Sequence, residues 1–445
     1  MFNFILGFRF DLKFLFVLIS VVLFLESKSF SAVLTVGDGQ SFQSINSALS
    51  TASNGDIIEV YSKSPNNIYN ETINMNAIGR TNIKIIGMVP NQGITISGTG
   101  LAGLGSMTSM ILCNGNGAFV LQNFTIVDND AAQQSCIRLA GNMTNAQIKE
   151  CTFSSSASLS SSDYYEIFCE ASNVSILQNT FNSNMTNTQY YQTAIQWGVT
   201  NCTVKYNQYL GRNVYIQLFI GTTNNGTHDH LVSYNYFNPT TAKSDWLASI
   251  YLRDPYNITI TRNLIINENN SSSDVAGGAG ITMREDVSGT TIEYNTIIYA
   301  TSGNTYESPY FSYWGSSGQT GSVLRNNILY SGEYSLLSAD ESGESSPVAI
   351  EYNYMYDPET AFTNGNFQNW GNNNTQTQTT PPGFVGSGAI WYSDGTDSGT
   401  WSQYYSLSPS APALTSGQGG TYCGAFGYQS SNPPPSKPGG LLVTP

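Results

Sequence analysis

The sequence is short of charge, and of basic charge in particular. Only 10% of its 445 residues are Asp, Glu, Lys or Arg, against about 25% in an average soluble domain. The 16 Lys and Arg residues are outnumbered by 30 Asp and Glu, which gives a formal net charge of −14. Because phosphate backbones are recognised through Lys and Arg, this balance argues against a nucleic-acid partner. Asn, Ser, Thr, Gly and Tyr must supply most of the surface.

Residue types that build zinc sites are also scarce. The chain has two histidines, His228 and His230, and no Cys-x-x-Cys pair. Structural zinc sites use clusters of Cys and His at short spacings. The sequence therefore predicts no zinc centre.

Long apolar runs are missing apart from one near the N-terminus. The almost wholly apolar segment Phe14–Leu25 follows Arg9 and Lys13 and precedes the small residues Ser29 and Ser31. A charged start, a short apolar core and a small-residue cleavage site are typical of a signal peptide. Twelve residues are too few to span a bilayer comfortably. We predict a signal peptide over residues 1–31 and a secreted or cell-surface protein with no membrane span after its removal; an uncleaved anchor is the alternative.

A six-residue pattern recurs along the middle of the chain: aliphatic, any, any, Asn, any, large apolar. Its copies run from Ile148–Phe153 to Ile350–Met355, and Cys replaces Asn in the first of them. The first four intervals between fourth positions are each 28 residues, and the next three are 32, 31 and 27. The fourth positions are Cys151, Asn179, Asn207, Asn235, Asn263, Asn295, Asn326 and Asn353.

This repeat predicts the fold. Its short alternating runs, rich in Ile, Val, Tyr, Phe and Thr, indicate strands, and a unit this short must stack on its neighbours to bury a core. We predict an all-β, right-handed, single-stranded parallel β-helix of about ten rungs over residues 32–428. A short helix within 41–52, with Ser41 as its N-cap, should cover the first rung, and residues 429–445 should form a Pro-rich linker or disordered tail. Stacking turns the Asn column into a ladder in which each amide donates to the next rung.

A second repeat, a triplet of residues, lies shortly before the six-residue pattern on several rungs. The first and third residues of each triplet should face inward. Cys113 and Cys169 then lie in one column with Leu139 between them. Two rung spacings of about 4.8 Å exceed the reach of a disulfide. We therefore predict mostly buried free thiols, with a Cys136–Cys151 bridge left open. The triplets are Ile111–Cys113, Ile137–Leu139, Ile167–Cys169, Ile195–Trp197, Ile250–Leu252 and Ile281–Met283.

The rung pattern resembles the pectate-lyase-like superfamily of right-handed parallel β-helices over roughly residues 33–428. The opening Gly37–Phe42, with Ile45, Ala48 and Ile57–Val60, is similar to the usual opening of such proteins. The resemblance implies this fold and a polysaccharide partner. The motifs of pectin methylesterases and the three-aspartate cluster of polygalacturonase-type hydrolases find no convincing counterpart in the sequence.

Two segments resemble strands of alginate lyases and chondroitinase-B-like lyases, which carry a catalytic Lys and a catalytic Arg on adjacent rungs. They are Ile250–Asp254, with Arg253, and Ile281–Glu285, with Arg284. The resemblance implies catalytic roles for these two arginines in β-elimination, which needs a base for the proton beside the uronate carboxylate and a cation for the developing charge. The chain departs from the family, because Arg253 replaces the Lys and no His-Gly follows Arg284. An Arg, with a pKa above about 12, is a poor base.

Neighbouring residues complete the predicted site. Tyr251 and Tyr256 are expected to bind substrate, and Asp254, Glu285 and Asp286 to hold a calcium ion that neutralises the uronate. The alternative is that Arg253–Glu285 and Arg284–Asp254 form cross-rung salt bridges on a solvated edge.

We predict a monomer that binds or cleaves polysaccharide. The most specific hypothesis is a lyase that acts on an anionic uronate polymer. A non-catalytic surface, adhesion or coat β-helix protein is the alternative.

Overall fold

The computed structural model describes the chain from residue 31 to residue 425, with gaps. The described residues are 31–98, 109–115, 117–128, 134–141, 143, 145–156, 163–185, 190–196, 198–214, 216–221, 226–238, 241–242, 248–267, 279–285, 287–299, 311–314, 321–330, 337–339, 346–356, 367–371, 373–377, 379–384 and 407–425. The predicted signal peptide, apart from Ser31, and the predicted tail at 429–445 lie outside these residues. Within them, no helix has the length and apolarity to cross a membrane.

Three parallel sheets wind around a common core. The chain visits sheet A, sheet B and sheet C in turn and then returns to sheet A one level higher, so strands pair with their equivalents about 28 residues away. The three sheets contain 13, 12 and 10 strands. The predicted class, a right-handed parallel β-helix, is confirmed, and the predicted count of about ten rungs is approximate.

The strands of each sheet follow in order of stacking. Sheet A comprises β1 (Val33–Val36), β2 (Ile57–Val60), β5 (Ile83–Gly87), β8 (Phe119–Gln122), β11 (Ala146–Lys149), β14 (Val174–Leu177), β17 (Thr203–Lys205), β21 (Leu231–Ser233), β25 (Thr259–Thr261), β28 (Thr291–Glu293), β31 (Val323–Arg325), β34 (Ser346–Glu351) and β36 (Phe367–Trp370). Sheet B comprises β3 (Ile68–Asn70), β6 (Thr95–Ser97), β9 (Thr125–Val127), β12 (Thr152–Phe153), β15 (Thr180–Phe181), β18 (Gln208–Tyr209), β22 (Tyr236–Phe237), β26 (Leu264–Asn267), β29 (Thr296–Tyr299), β32 (Ile328–Tyr330), β35 (Tyr354–Tyr356) and β37 (Thr375–Thr377). Sheet C comprises β4 (Ile73–Asn74), β7 (Ser109–Asn114), β10 (Ser135–Ala140), β13 (Tyr164–Glu170), β16 (Tyr190–Ile195), β20 (Ile216–Gly221), β24 (Ala248–Arg253), β27 (Ala279–Arg284), β30 (Phe311–Trp314) and β33 (Leu337–Ala339). A small extra sheet pairs β19 (Arg212–Val214) with β23 (Thr241–Ala242).

Helices are short and few among the described residues. They are α1 (Ile45–Thr51), α2 (Met75–Ile78) and the 3₁₀ turns Pro412–Leu414 and Gln418–Gly420. Helix α1 buries Ile45, Ala48 and Leu49 against the first rung.

The N-cap of α1 is Ser44, so the prediction of Ser41 was wrong. Phe42 is held in an extended bridge to Val36, and its amide donates to Thr35 O at 3.0 Å. The chain therefore turns into the helix only after Phe42. Ser44 Oγ accepts from the Ser47 amide at 3.1 Å, which satisfies one of the free N–H groups of the first turn.

Stacked rings and aliphatic side chains fill the interior. Phe153, Phe181, Tyr209 and Phe237 form one buried column, with successive ring centroids 4.8, 4.6 and 4.6 Å apart and nearly parallel planes. Such pairs contribute about 0.5–1.5 kcal/mol each beyond their buried area. The 28-residue interval places these rings directly over one another.

The predicted asparagine ladder is present at the corner between sheets A and B. Asn179 Nδ2 donates to the side-chain oxygen of Asn207, one rung up, at 3.0 Å. It also donates to the carbonyl oxygen of Ile148, on the preceding rung, at 2.9 Å. Cys151 occupies the first position of the repeat and donates its backbone amide to Asn179 Oδ1 at 3.0 Å. Each amide thus connects three consecutive rungs.

One ladder position was predicted one residue too early. Asn327, and not Asn326, accepts from the Asn295 amide at 2.8 Å, and Asn374 extends the ladder beyond Asn353. The reason is that Leu324 rather than Val323 is the buried aliphatic residue in register with Ile292. Asn326 instead takes a left-handed conformation (φ 56°).

The triplets of sheet C are in the predicted register except one. Leu139 pairs with both Cys113 and Cys169, as predicted. In β16, however, Thr193 takes the inward place of Ile167, and Ile195 aligns with Cys169. The triplet Ile195–Trp197 was therefore displaced by two residues, because a buried Thr193 hides the aliphatic signal. All six cysteines are buried and carry free thiols.

Residues 407–425 fold back along the outside of sheet B. The Gln418 amide donates to Asn326 Oδ1 at 2.7 Å, and the Ala425 amide donates to Thr296 Oγ1 at 2.8 Å. Leu407, Ala413 and Cys423 are buried in this contact. The segment covers apolar side chains that the outer face of sheet B presents over its later rungs.

Candidate functional site

The two predicted arginines lie side by side at one edge of sheet C. Strands β24 and β27 pair in parallel, and Arg253 is the register partner of Arg284. The adjacency predicted from the sequence is thus observed. Each arginine is followed by a residue with positive φ, Asp254 (53°) and Glu285 (62°), where the chain bends away from sheet C.

A glycine makes room beside Arg253. Gly221 occupies the equivalent position on the preceding strand, with φ 109°. A Cβ there would lie 1.9 Å from the carbonyl oxygen of Arg253. Because only glycine tolerates both this φ and this close approach, no side chain from β20 stands beside Arg253.

Glu285 is the counterion of this edge. Its Oε1 accepts from Arg253 Nε at 2.9 Å and lies 2.8 Å from Arg253 Nη2. The same oxygen lies 3.7 Å from Arg284 Nε. The hydrogen bond that Arg253 donates to Glu285 raises the pKa of Arg253 above its usual value, so Arg253 stays a cation and is unsuited to act as a base. The cross-rung Arg253–Glu285 salt bridge weighed from the sequence is therefore present.

Tyr251 connects the arginines to a row of aromatic rings. Arg284 Nη1 donates to Tyr251 Oη at 3.2 Å, and the Tyr251 ring stacks on Phe219 with centroids 5.6 Å apart. Phe219 meets Tyr191 edge-on at 6.0 Å, Tyr191 stacks on Tyr165 at 4.9 Å, and Tyr165 stacks on Phe168 at 4.7 Å. We call these five residues, Tyr165, Phe168, Tyr191, Phe219 and Tyr251, the aromatic patch.

The aromatic patch lies on the outer face of sheet C and ends in a cation on both sides. At the early end, the Arg138 guanidinium lies over the Phe168 ring at 5.5 Å and pairs with Glu170 at 2.6 Å. At the late end are Arg253 and Arg284. From β10 to β27 the row crosses six strands, which at about 4.8 Å per spacing is roughly 24 Å.

The sequence analysis missed four of the five patch residues. Phe168 and Tyr251 occupy the outward middle position of their triplets, and Phe219 pairs in register with Tyr251. Tyr165, three residues before Phe168 on β13, pairs in register with Tyr191 of β16. The alternation of inward and outward residues along the strands therefore indicates these outward aromatic residues, but the prediction used only the inward positions.

Tyr256 lies elsewhere. It is 40% exposed and sits at the corner between sheets C and A, where its ring stacks on His228 with centroids 4.4 Å apart. His228 Nδ1 lies 2.6 Å from Asp229 Oδ2. Tyr251 and Tyr256, predicted together as substrate-binding residues, thus belong to different surfaces.

The predicted calcium ligands are described only in part. Asp254 and Glu285 lie beside the arginines, and Asp286 lies outside the described residues. Among the residues that are described, no group of three or more His, Cys, Asp or Glu side chains is placed to hold a metal ion. Calcium binding stays a prediction.

Directly behind the patch, the interior of β13 contains a buried acid. Glu166, next to Tyr165, is fully buried and accepts a hydrogen bond from Ser183 Oγ. Burial raises the pKa of this carboxyl group to about 8. Gln192 and Gln217 are also fully buried, so a polar layer underlies the aromatic surface.

No family model and no curated protein matches the sequence. Among solved structures, the chain is similar to XylC in complex with xylose (TM-score 0.43, 9% identity, 72% of this chain and 55% of that chain). It is also similar to endo-xylogalacturonan hydrolase from Aspergillus tubingensis (0.39, 13%, 78% and 94%). A third is a tailspike protein double mutant of E. coli bacteriophage HK620 (0.37, 12%, 73% and 66%). The chain spans about half the length of XylC. Identities this low do not transfer a function to it.

Proposed function

We propose that this protein is a secreted or cell-surface β-helix that binds polysaccharide along the aromatic patch of sheet C. The observation that carries the proposal is the continuous row of five rings on four adjacent strands, with arginines at both ends. Aromatic rings offer large rigid contact surfaces with a polar rim, which suits sugar rings that have apolar faces and hydroxyl edges. The length of the row fits an extended chain of several sugars.

An anionic polysaccharide is the better substrate class. At the late end of the patch, Arg253 and Arg284 share one carboxylate oxygen, Glu285 Oε1. Arg284 is held less closely than Arg253, because its Nε lies 3.7 Å from this oxygen whereas Arg253 Nη2 lies 2.8 Å from it. A uronate carboxylate can bind at Arg284, or take the place of Glu285, through charge-assisted hydrogen bonds.

Binding can be measured by affinity electrophoresis and calorimetry. Polygalacturonate, alginate and chondroitin sulfate serve as acidic polymers, and xylan as a neutral one. We expect the double variant Tyr191→Ala with Tyr251→Ala to weaken binding of at least one acidic polymer by about tenfold or more. Tyr330→Ala is the matched control, because Tyr330 lies on sheet B, where its ring is tilted against that of Tyr356 with centroids 4.9 Å apart. Unchanged affinity in the patch variant, or no binding to any polymer, would refute the proposal.

Cleavage of the same polymer by β-elimination is a second candidate. One observation favours it: the Tyr251 hydroxyl, a group able to transfer a proton, lies 3.2 Å from Arg284 Nη1, which could stabilise the developing negative charge. In this reaction Tyr251, as its phenolate, would take the proton from the C–H bond beside the carboxylate, and the electron pair of that bond would form a double bond that absorbs ultraviolet light. The glycosidic C–O bond would break with its electron pair on the leaving oxygen, which would receive the proton back from Tyr251. Incubation with the same polymers, with and without calcium, tests it. No rise in absorbance, together with retained binding, would leave a binding protein only.

A further inference from the structure

A second row of aromatic and cationic side chains lines the corner between sheets A and B, on a different part of the rod from the aromatic patch. It occupies the position before each ladder asparagine, where the backbone takes positive φ. The residues are Tyr206 (φ 60°), Tyr234 (56°), Arg262 (56°) and Tyr294 (57°). We call them, together with Lys205, the corner ladder.

Large side chains are an unfavourable choice at these positions. A left-handed backbone conformation is adopted most readily by Gly and Asn, and this chain places Asn there at Asn123 (φ 64°) and Asn326 (φ 56°). Glu150 (φ 55°), Gln178 (φ 59°) and Tyr352 (φ 57°) hold the same position on other rungs. The left-handed conformation therefore belongs to the turn itself, and the continuous run of rings and a cation over four rungs is what distinguishes the corner ladder.

The members of the corner ladder contact one another in an alternating order. Tyr206 and Tyr234 stack with centroids 5.2 Å apart, and Lys205 Nζ lies 4.8 and 5.2 Å from these two rings. The Arg262 guanidinium lies between Tyr234 and Tyr294, at 5.7 and 5.5 Å from their centroids. Each of the five side chains is half-buried. At the late end of the ladder, Arg262 also hydrogen-bonds Tyr422, and the Tyr294 ring lies 5.4 Å from the Tyr422 ring.

The two cations of the corner ladder rest against aromatic rings. Among the described residues, neither Lys205 nor Arg262 forms a salt bridge, whereas Arg325, two rungs beyond Arg262, pairs with Glu293 at 3.0 Å. Lys205 and Arg262 rest against rings, which attract a cation but do not neutralise it. The corner ladder thus presents two positive charges and a row of phenol hydroxyls in an otherwise acidic protein.

The spacing of these charges indicates what could bind. Lys205 and Arg262 lie on rungs two steps apart, because β17 pairs with β21 and β21 with β25. Two steps amount to about 9.6 Å. A pyranose ring advances a linear polysaccharide by a length close to one step, so the two cations match acidic groups on every second sugar.

We propose that the corner ladder binds a linear polysaccharide that carries one carboxylate on every second sugar and runs parallel to the axis of the rod. Carboxylates pair with Lys205 and Arg262, and the intervening sugars meet the hydroxyl edges of Tyr206 and Tyr234. The proposal is independent of binding at sheet C.

The probe is hyaluronan, whose repeating disaccharide contains one carboxylate, and binding to the full chain is measured by calorimetry at low salt. We expect wild-type binding that weakens as salt is added and falls by about tenfold or more in Lys205→Gln with Arg262→Gln. Lys84→Gln with Lys149→Gln is the matched control, since it removes two charges from strands β5 and β11 of sheet A, outside the ladder. Absence of wild-type binding, or equal loss in the control, would overturn the proposal.

A second variant separates binding from folding. In Tyr206→Asn with Tyr234→Asn the new side chains suit the left-handed backbone, so the thermal unfolding midpoint is expected to be maintained while hyaluronan affinity falls by about tenfold. Retained affinity in this variant would contradict the assigned role of the tyrosines. In the background of the sheet C variant Tyr191→Ala with Tyr251→Ala, adding Lys205→Gln with Arg262→Gln should lower hyaluronan affinity by the same factor as in the wild type, and no further loss would assign the polymer to the aromatic patch instead.

Discussion

Asn235 Oδ1 accepts two hydrogen bonds from Asn207, one from its backbone amide and one from its side-chain amide, each at 3.0 Å. Asn235 Nδ2 in turn donates to Val204 O and to Asn263 Oδ1, each at 2.9 Å. The side chain is fully buried. One amide therefore satisfies polar groups on two neighbouring rungs.

Replacing this amide should destabilise the rod strongly. Asn235→Ala leaves a backbone N–H, a carbonyl and two ladder amides with unmet hydrogen-bonding capacity, and we expect a loss of about 2–4 kcal/mol in the free energy of unfolding. Urea denaturation followed by circular dichroism measures it. Asn182→Ala, at an exposed position, is the control and should change little. Equal stability of the two variants would contradict the structural role of the ladder.

Truncating a ring in the middle of the buried ring column should strongly lower the free energy of unfolding. Phe181 lies between Phe153 and Tyr209, at 4.8 and 4.6 Å, and Phe181→Ala should lower the free energy of unfolding by about 3–5 kcal/mol. Phe181→Leu keeps most of the volume and should cost clearly less. Urea denaturation of both variants checks the order, and a leucine variant as unstable as the alanine variant would show that volume does not decide the effect.

Glu166 should make stability depend on pH. Burial raises its pKa from 4.5 to about 8 in the folded protein, so the folded state retains a proton that the unfolded state loses above about pH 4.5. Its contribution is thus fully present below pH 4.5 and is lost as the pH rises to about 8. Glu166→Gln keeps a neutral hydrogen-bonding group and lacks this loss.

We therefore expect the difference in unfolding midpoint, Glu166→Gln minus wild type, to increase between pH 4.5 and 8 and to level off above. Thermal unfolding in a series of buffers measures it. Comparing variant with wild type at each pH cancels the titration of the other carboxyl groups. A difference independent of pH would show that Glu166 titrates normally.

Removing the internal counterion should strengthen binding of acidic polymers under the proposed function. Glu285→Gln deprives Arg253 and Arg284 of their shared carboxylate, so we expect affinity for polygalacturonate to rise about threefold to tenfold, and more at low salt. Calorimetry measures the change. Glu170→Gln, which removes the carboxylate paired with Arg138 at the other end of the patch, reports whether losing one counterion there has the same effect. Weaker binding in Glu285→Gln would place the polymer away from this edge.

The sequence predicted the features that depend on regular spacing. An interval of 28 residues sets the ladder from Asn179 to Asn263, and counting back from Asn263 and Asn295 was enough to place Arg253 beside Arg284. The predicted register was wrong where a local feature of the sequence obscured which residues of neighbouring rungs align. A polar residue in an inward position concealed the register at Thr193, and two consecutive asparagines made Asn326 as plausible as Asn327.

The functional surface was harder to predict than the core. The aromatic patch depends on outward residues, such as Phe168 and Phe219. The sequence of one strand alone does not distinguish them from other outward residues. Only the stacking of four strands brings the rings together. The Arg253–Glu285 pair was one of two salt bridges considered from the sequence. The contact between Arg284 and Tyr251, in contrast, depends on side-chain conformations that spacing does not determine.

The fold-back of residues 407–425 has a consequence for how the chain folds. Strand pairs among the described residues join positions about 28 apart, so rungs can form one after another with short loop closures. The hydrogen bonds from Gln418 to Asn326 and from Ala425 to Thr296 span 92 and 129 positions. Their closure has to wait until the later rungs exist, which makes docking of this segment a late kinetic step. Once docked, it ties the last rungs to earlier ones, so this end of the rod opens as a block and does not fray one rung at a time.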